Sequence, residues 1–485
     1  MRAEMSTSNR QLEDLPAPGA LPWLGNLHQL DRKQLHSKLE RWAEDLGPTY
    51  TFKFGRKRIL VTSEVEIGIS ALKDRPDLFR RLSTIEPVAK ELGINGLFSV
   101  EGRAWRPQRN LVARALAPQQ LENFFPALQR ITDRLRQRWQ QSVDAGADTD
   151  VIQDLTRFTV DTTATLVFGK NLNSLGCEDN AIQRHIGLIL PMIGGRTNAF
   201  LPYWRYVKLP RDYRLERSLK AVRAFVEEMI AQKRESMCGR PHHGNHQNLL
   251  EAMLALLDEP EAGFSQDDVY ANVITLLLAG EDTTAYSLAW AIYLLASRPD
   301  LQATLQRAAL DALGDARVPM TFADTATLGL FEGVALEAMR MRPVAPIHFL
   351  EANESIALAG IQIPKGTPVF VLTRPATLDD KNYQDAKDFK PERWIDQREG
   401  GACPAHRTRA FMQFGAGPRF CPGRYLATLQ MKMVLAMLAR NFSFEHSENP
   451  GATKEIFAFT MKPSRLRLRL RSAPGSPTRV ATQVN

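Results

Sequence analysis

Cysteine is scarce in this sequence, which contains only four in 485 residues: Cys177, Cys238, Cys403 and Cys421. No two of them show the Cys-x-x-Cys spacing of a zinc site, and their scatter argues against a disulfide framework. So few cysteines are typical of a protein from a reducing compartment. We therefore expect a cytoplasmic protein without structural zinc or disulfide bonds.

Long apolar segments are also lacking. The N-terminal stretch up to Leu27 has no apolar core and carries acidic residues early, unlike a secretory signal or a membrane anchor. Residues 269–280 form an apolar run, but Glu281 and Asp282 interrupt it after about a dozen residues, whereas a membrane span needs roughly 18 or more. We expect no membrane anchor.

Bulk composition and charge leave the function open. The apolar fraction of 44% and the charged fraction of 24% are ordinary for a soluble globular protein. The formal net charge of +8 fits either solubility or attraction to an acidic partner, and charge alone does not choose between them. Residues 465–471 alternate arginine with leucine, which predicts a half-buried strand with a basic outer face. So short a run favours a strand over a nucleic-acid-binding segment, and we expect no nucleic-acid partner.

Periodicity predicts a mainly α chain with a smaller β region. Residues 65–342 show helical periodicity with polar breaks, while residues 49–62 predict a hairpin that turns at Gly55. Residues 356–372 return to strand character. The break at residues 239–247 carries His242, His243 and His246; a solvated loop is favoured there over a metal site.

The most informative stretch is residues 414–423, FGAGPRFCPG, in which three glycines and two prolines surround Cys421. Glycine lets a backbone approach a flat ligand closely, and proline fixes φ. A thiolate held in such a loop, with backbone N–H groups aimed at its sulfur, suits an iron ligand, and Arg419 offers a cation for an acidic ligand group. A predicted helix over residues 424–440 adds the positive end of its dipole, which favours an ionised sulfur.

This decapeptide resembles the haem-binding motif of the cytochrome P450 family, Phe-x-x-Gly-x-Arg-x-Cys-x-Gly. The five fixed positions are filled by Phe414, Gly417, Arg419, Cys421 and Gly423. By this resemblance Cys421 is the iron ligand, and the other four residues bind the cofactor, haem b. The motif is long, so a buried structural cysteine beside a glycine turn is a much weaker interpretation.

The resemblance runs from about Pro16 to about Leu470. It implies the cytochrome P450 fold, mainly α with a minor β subregion, in which a triangular helical prism surrounds a buried haem. Residues 16–471 would form a single haem domain between a flexible N-terminus, residues 1–15, and a polar tail, residues 472–485. In having no predicted N-terminal anchor, the sequence resembles the soluble, bacterial-type members of the family.

A second motif lies in a predicted long helix that starts with a capping-box-like sequence, residues 265–268, and ends before Pro299. Its centre, residues 279–284 (AGEDTT), contains a glycine and two threonines. Glycine alone weakens a helix by roughly 0.5 to 1 kcal/mol, and threonine hydroxyls can bond to i−4 carbonyls and leave room for water or dioxygen. The hexapeptide resembles the family's oxygen-activating element. That resemblance implies that Thr283 hydrogen-bonds the bound oxygen, that Asp282 relays protons, and that Ala279 and Gly280 contact the haem.

Two further patterns resemble the family's scaffold motifs. Glu337 and Arg340 lie three residues apart on one helix face, and the sequence FKPERW follows at residues 389–394. The resemblance implies that Glu337, Arg340 and Arg393 form a buried triad beneath the haem loop, with a role in folding and haem retention.

The haem edge resembles the family in part. Trp105 and Arg109 match a Trp-x-x-x-Arg element whose two side chains reach one propionate, and Arg419 should meet a propionate as well. Relatives usually add an arginine in the strand after the Glu-x-x-Arg helix, but Leu350 occupies that position here. His348, two residues earlier, could supply the lost donor, contact substrate, or be a core histidine, and the sequence leaves these open.

The resemblance implies a monooxygenase that inserts one oxygen atom from dioxygen into a hydrophobic small molecule. The expected pocket is apolar, with Leu97, Phe98, Leu276, Ile347, His348 and Phe457 in its walls. Arg80, Arg81 and Lys90 could meet an anionic end of the substrate, face the haem, or be solvated.

No second motif-bearing domain follows the cysteine loop, so we expect electrons from a separate ferredoxin or flavodoxin-type donor with its reductase. The basic residues expected near Cys421 are Arg106, Arg114, Arg424 and Lys432. A peroxygenase driven by hydrogen peroxide is the alternative enzyme, although such relatives typically lack the acid–alcohol pair. A non-catalytic haem-binding sensor is the alternative from a different class, and no signalling segment accompanies the haem motifs.

Overall fold

A computed structural model of the chain describes residues 10–177, 181–197, 199, 201–237, 246, 248–258, 263–395 and 409–473. Helices dominate this part, as predicted. Their bounds are α1 Leu35–Leu46, α2 Val65–Lys73, α3 Ile85–Glu91, α4 Trp105–Ala115, α5 Pro118–Asp144, α6 Val151–Phe168, α7 Ala181–Thr197, α8 Pro210–Met237, α9 Leu249–Leu257, α10 Gln266–Leu295, α11 Pro299–Leu313, α12 Gly329–Met341, α13 Arg374–Thr377 and α14 Arg424–Asn441.

The strands form a minor β part at the two ends of the sequence. Their bounds are β1 Thr49–Phe54, β2 Lys57–Thr62, β3 Phe79–Arg81, β4 Thr149–Asp150, β5 Ile347–Ala352, β6 Ile356–Leu358, β7 Ile361–Ile363, β8 Pro368–Leu372, β9 Phe442–His446, β10 Glu455–Phe457, β11 Met461–Pro463 and β12 Arg467–Ser472. The largest sheet has the order β1-β2-β8-β5-β3, in which only β2 and β8 run parallel.

Residues near both ends of the sequence pack against the rest of the protein. Arg10 pairs with Ile361 on β7, and the side chains of Leu12 and Leu15 are buried in the core beneath the large sheet. At the other end β12 continues to Ser472, and Ala473 is buried. Single buried side chains near an end leave no periodic pattern, so the packing of residues 10–15 and of Ala473 could not be read from the sequence. Residues 1–9 and 474–485 lie outside the described part.

The histidine cluster and two of the four cysteines fall largely outside the described residues. Of the three histidines only His246 is described, and no group of three or more metal-ligating side chains occurs in the described ranges. Cys177 is free and exposed, and Cys421 is free. Cys238 and Cys403 lie outside the description, and the cytoplasmic location stays a prediction.

Helix α10 passes through the middle of the helical core. Its N-terminus carries the predicted capping box, in which the Ser265 hydroxyl accepts from the Asp268 N–H and the Asp268 carboxylate accepts from the Ser265 N–H. Most of its side chains are buried, and its main packing partner is α6. Across the described helices, none is both long enough and apolar enough to span a bilayer.

The contact between α10 and α6 depends on a glycine. A Cβ atom at Gly280 would lie 2.7 Å from Oγ1 and 3.1 Å from Cγ2 of Thr163, on α6. The β-branched threonine is stiff at χ1 and cannot move aside freely. Gly280 therefore allows α10 to approach α6 at the point where the acid–alcohol pair follows.

We expect Gly280→Ala to lower the free energy of unfolding by about 1–2 kcal/mol, because overpacking costs ~1–3 kcal/mol and exceeds the gain of up to ~1 kcal/mol in helix propensity. In a Thr163→Ala background the same change should become neutral or stabilising, since the clashing atoms are gone. Urea unfolding of the four proteins measures both effects. An equal loss from Gly280→Ala in both backgrounds would contradict this account of the contact.

Candidate functional site

A cavity of about 360 Å³ lies between α10 and the cysteine loop. Side chains from α4, α6, α7, β5, α14 and the segment 457–460 complete its wall. Helices and strands far apart in sequence thus converge on Cys421. The wall is largely apolar, which suits a hydrophobic guest.

The cysteine loop is held in shape by its own backbone. The Cys421 N–H donates to the Phe414 carbonyl at 2.9 Å, and the Gly415 N–H donates to the Met412 carbonyl at 2.8 Å. Gly415 and Gly417 have φ values of 74° and 66°, which glycine adopts without strain. The loop thereby presents Cys421 to the cavity directly before α14 begins.

Gly417 has a second constraint. A Cβ atom there would lie 2.6 Å from Cα of Lys73, at the end of α2. Among the residues predicted to bind the cofactor, Gly417 is the one that does not line the cavity. Its place in the motif is explained by packing of the loop on α2 rather than by contact with a ligand.

Burial raises the pKa of the Cys421 thiol above its ordinary value. The backbone N–H groups of Gly423 and Arg424 hydrogen-bond to the sulfur and oppose this shift, as do the charges of Arg109 and Arg424. The start of α14 therefore provides the stabilisation of a thiolate that the sequence predicted, and it works against a large desolvation penalty.

The predicted triad is assembled behind the loop. The buried Glu337 carboxylate accepts from Arg340 at 2.8 Å on each oxygen and from Nε of Arg393 at 3.0 Å. It also accepts from the Trp394 indole at 2.8 Å. The ring of Trp394 packs on Phe411, and Phe411 packs on Phe414, so the triad supports the cysteine loop through aromatic contacts.

The acid–alcohol pair is divided between two environments. Thr283 lines the cavity, and its hydroxyl donates to the Ala279 carbonyl at 2.6 Å, the i−4 bond expected from the sequence. Asp282 does not line the cavity: it accepts a hydrogen bond from Tyr286 and faces Lys462 on β11. The structure therefore does not bring Asp282 to the cavity wall beside Thr283.

The neighbouring Glu281 is almost completely buried. Burial, and next the nearby Asp282 carboxylate, raise the pKa of Glu281 well above its ordinary value. Burial also raises the pKa of Asp282, although the Tyr286 hydrogen bond and the Lys462 charge oppose the shift. The motif thus carries two carboxyl groups whose protonated forms are favoured by burial. The family resemblance assigned a role to only one of them, Asp282.

Near the cysteine loop the cavity is cationic. Trp105, Arg109 and Arg419 all line it, and the Arg419 guanidinium lies 4.6 Å from the Trp105 ring centroid. Arg419 also donates to the Glu101 carboxylate at 2.6 Å. Two more arginines, Arg75 and Arg81, line the same end.

His348 lines the cavity and bonds through Nε2 to the Met412 carbonyl at 2.8 Å. Burial, together with the charges of Arg75 and Arg81, lowers the pKa of His348 to about 4. A neutral imidazole tied to the loop is not a cationic substitute for the missing strand arginine. Leu350 itself is buried in the core beneath the sheet.

The predicted pocket residues all lie in the wall of this one cavity. They are Leu97, Phe98, Leu276, Ile347, His348 and Phe457, and Ala279 and Gly280 also line it. Sequence reasoning missed the polar members Arg75, Thr163, Thr197 and Gln413. Nothing in the local pattern marks Thr163 on α6 or Thr197 at the end of α7.

The sequence pattern of the family described as Cytochrome P450 matches residues 15–470. Pentalenene oxygenase from Streptomyces avermitilis is 27% identical over 457 residues, which cover 94% of this chain and 96% of that protein. Cytochrome P450 4V2 of Rattus norvegicus is 27% identical over 73% of this chain and 69% of its own length.

A bifunctional cytochrome P450/NADPH–P450 reductase of Gibberella moniliformis is 26% identical over 98% of this chain but only 42% of its own length. The similarity therefore concerns its P450 portion. Since the family pattern covers most of the sequence and the cavity unites the family's motifs around one cysteine, this chain is a member of the cytochrome P450 family, haem monooxygenases that use dioxygen and a redox partner.

Proposed function

We propose that the cavity binds haem b with Cys421 as the iron ligand and that the protein hydroxylates a hydrophobic small molecule. The residues present fit the group. The cavity offers a buried thiol with N–H donors on its sulfur, and guanidinium groups near the cysteine loop that could bind two carboxylates. When bound, the haem supplies dioxygen activation and oxygen insertion, favoured by electron donation from the thiolate.

The observation that carries this proposal is the position of Cys421, alone among the described cysteines, in the wall of the cavity. We expect the reduced protein to give, with carbon monoxide, the Soret band of thiolate ligation. Cys421→His should move that band to the position typical of imidazole ligation. Cys177→Ser, at the exposed free cysteine, should leave it unchanged. A wild-type band at the imidazole position, or no haem uptake at all, would refute the proposal.

Within this function Thr283 holds a proton at Oγ1 on the cavity wall, and Asp282 supplies protons from the side of Tyr286 and Lys462. The i−4 bond to Ala279 fixes the Thr283 side chain on the cavity wall. The separation of the two groups means that Asp282 collects protons outside the cavity while Thr283 delivers them inside. The presence of both the acid and the alcohol favours a dioxygen-dependent monooxygenase over the peroxygenase alternative, whose members typically lack this pair.

We expect Thr283→Ala to lower product formed per reduced nucleotide by about tenfold or more, because a positioned proton donor contributes typically ~10²–10⁴-fold. Oxygen consumption should continue and yield hydrogen peroxide. Thr275→Ala is the matched control: it lies on the same helix, lines the same cavity and makes the same i−4 bond, to Ala271 at 2.8 Å. Full coupling in Thr283→Ala would argue against the relay.

We further propose that the substrate is a hydrophobic molecule held by the aromatic and aliphatic wall. Phe98 and Phe459 stack edge to face, with ring centroids 5.5 Å apart. The buried walls from α10 and β5 add Leu276 and Ile347. Burial of apolar surface is the main attraction that such a lining offers.

Electrons would arrive at the face formed by α4 and the start of α14, because these helices carry Arg109 and Arg424, whose charges act on the Cys421 sulfur. Arg106 and Arg114 are exposed there. Lys432, which we had placed in this set, is half-buried and paired with Glu332 at 3.3 Å, so it is less available. This face suits an acidic ferredoxin or flavodoxin-type protein with its reductase.

We expect electron transfer from an acidic ferredoxin to slow as salt rises, since ~0.1 M salt screens exposed charges beyond about 10 Å. Arg106→Gln should reduce the rate at low salt by roughly a factor of a few and flatten the salt dependence. Arg467→Gln, an exposed arginine on β12, is the control and should leave both unchanged. Stopped-flow reduction under carbon monoxide gives the rates. A rate that is independent of salt for every acidic donor would rule out this docking face.

A further inference from the structure

The cationic end of the cavity holds more positive charge than its protein neighbours compensate. Arg75, Arg81, Arg109 and Arg419 line it, and Glu101 is the carboxylate that pairs with this group, through Arg419. Burial and the neighbouring arginines lower the pKa of Arg75 to about 10 and that of Arg81 well below its ordinary value. Buried charges without partners are strongly unfavourable, so this arrangement calls for an anionic ligand.

Several buried donors at this end lack a hydrogen-bond partner among the described residues. They are Nε and Nη2 of Arg75, Nε and Nη1 of Arg419, and Nε2 of Gln413, whose acceptor Oε1 is also without a partner. Arg75 is 4% exposed and Arg419 is 8% exposed, so solvent does not satisfy these atoms. All three side chains line the same cavity, and their free donors need acceptors inside it.

The position of Arg75 follows from the packing of α2 on the cysteine loop. Gly417 lets Lys73 approach the loop closely, as described above, and Arg75 follows two residues later. The charge of Arg419 contributes to the lowered pKa of Arg75, so the two guanidinium groups lie near each other. Arg75 is therefore placed at the edge of the loop that holds Cys421.

The position of Arg81 follows from sheet register. On β3, Arg81 lies directly opposite Leu350 of β5. Residues opposite each other in an antiparallel pair extend from the same face of the sheet. Arg81 thus occupies the face that an arginine at position 350 would use. Its Nε donates to the Phe98 carbonyl at 2.5 Å, and its guanidinium stacks 3.8 Å from the Phe98 ring centroid.

We propose that Arg75 and Arg81 bind the two haem propionates and so replace the strand arginine whose place Leu350 has taken. The inference rests on the haem binding proposed above. Arg75 acts together with Arg419 and Gln413 at the cysteine loop, whereas Arg81 acts from the sheet. A substrate carboxylate has the same chemistry as a propionate. The propionates are favoured because the unsatisfied donors surround the loop on which Cys421 is held.

The test measures haem retention, not turnover. Holoproteins carrying Arg75→Gln or Arg81→Gln are mixed with excess apomyoglobin, and the rate of haem transfer is followed. We expect each change to accelerate transfer by about tenfold, because each removes charge-assisted hydrogen bonds to a carboxylate. Arg80→Gln is the matched control: Arg80 is adjacent, does not line the cavity and pairs with Glu86 at 2.9 Å. Arg75→Lys keeps the charge and should fall between wild type and Arg75→Gln.

A second arm replaces the haem by its dimethyl ester, which lacks the propionate charges. The acceleration caused by Arg75→Gln and Arg81→Gln should then largely disappear, which a general loss of stability would not produce. A third arm compares binding of a fatty acid with that of the corresponding alcohol, to separate a substrate carboxylate from a propionate.

Transfer rates in both variants equal to that of Arg80→Gln would overturn the inference. The inference would also be overturned if the variants held haem as tightly as the wild-type protein but lost affinity for the fatty acid and not for the alcohol. The arginines would then recognise the substrate. Neither outcome would change the Soret band of the wild-type protein with carbon monoxide. The haem-thiolate proposal is therefore tested separately.

Discussion

The carboxylate of Glu337 is the interaction on which the site depends. It is fully buried and accepts hydrogen bonds from Arg340, Arg393 and Trp394, and also from the backbone N–H of Lys390 at 2.9 Å. Arg340 in turn donates to carbonyls of residues 377, 386 and 388. Two residues of α12, Glu337 and Arg340, thus fix the segment between residues 377 and 394. A charge pair of this kind persists only when its partners are all present. The cysteine loop packs on this fixed segment through Phe411 and Phe414.

The buried Glu337 carboxylate and its partners support a site whose parts come from distant segments of the sequence. The sulfur comes from a loop, the polar hydroxyl from the middle of α10, and the cations from α4, β3 and the end of α2. Two close approaches hold these parts in register, one at Gly280 and one at Gly417. Each is a place where a helix meets another backbone or side chain with no room for a methyl group. The glycines of the two motifs therefore belong to the architecture as much as to ligand binding.

The fold class and the centre of the site could be predicted because their signals are local. The capping box at Ser265, the alternation in residues 465–471 and the spacing around Cys421 each lie within one element. The remainder depended on tertiary register. No local pattern shows that Thr163 faces Gly280, that Arg81 lies opposite Leu350, or that Asp282 faces Lys462 rather than the cavity. Asp282 lies in the predicted motif, but its direction on the helix could not be read from spacing.

The distribution of charge links binding to folding. Arg75, Arg81 and Arg419 are buried close enough to oppose one another's protonation, and Glu101 offsets only part of their charge. A dianionic ligand at this end would relieve that repulsion and satisfy the idle donors in one step. The same cavity would also hold the Cys421 thiolate, whose stabilisation at the start of α14 opposes the effect of burial. If haem binds as proposed, it would be a structural component as well as a reagent, because its carboxylates would neutralise buried arginines on β3 and at the edge of the cysteine loop.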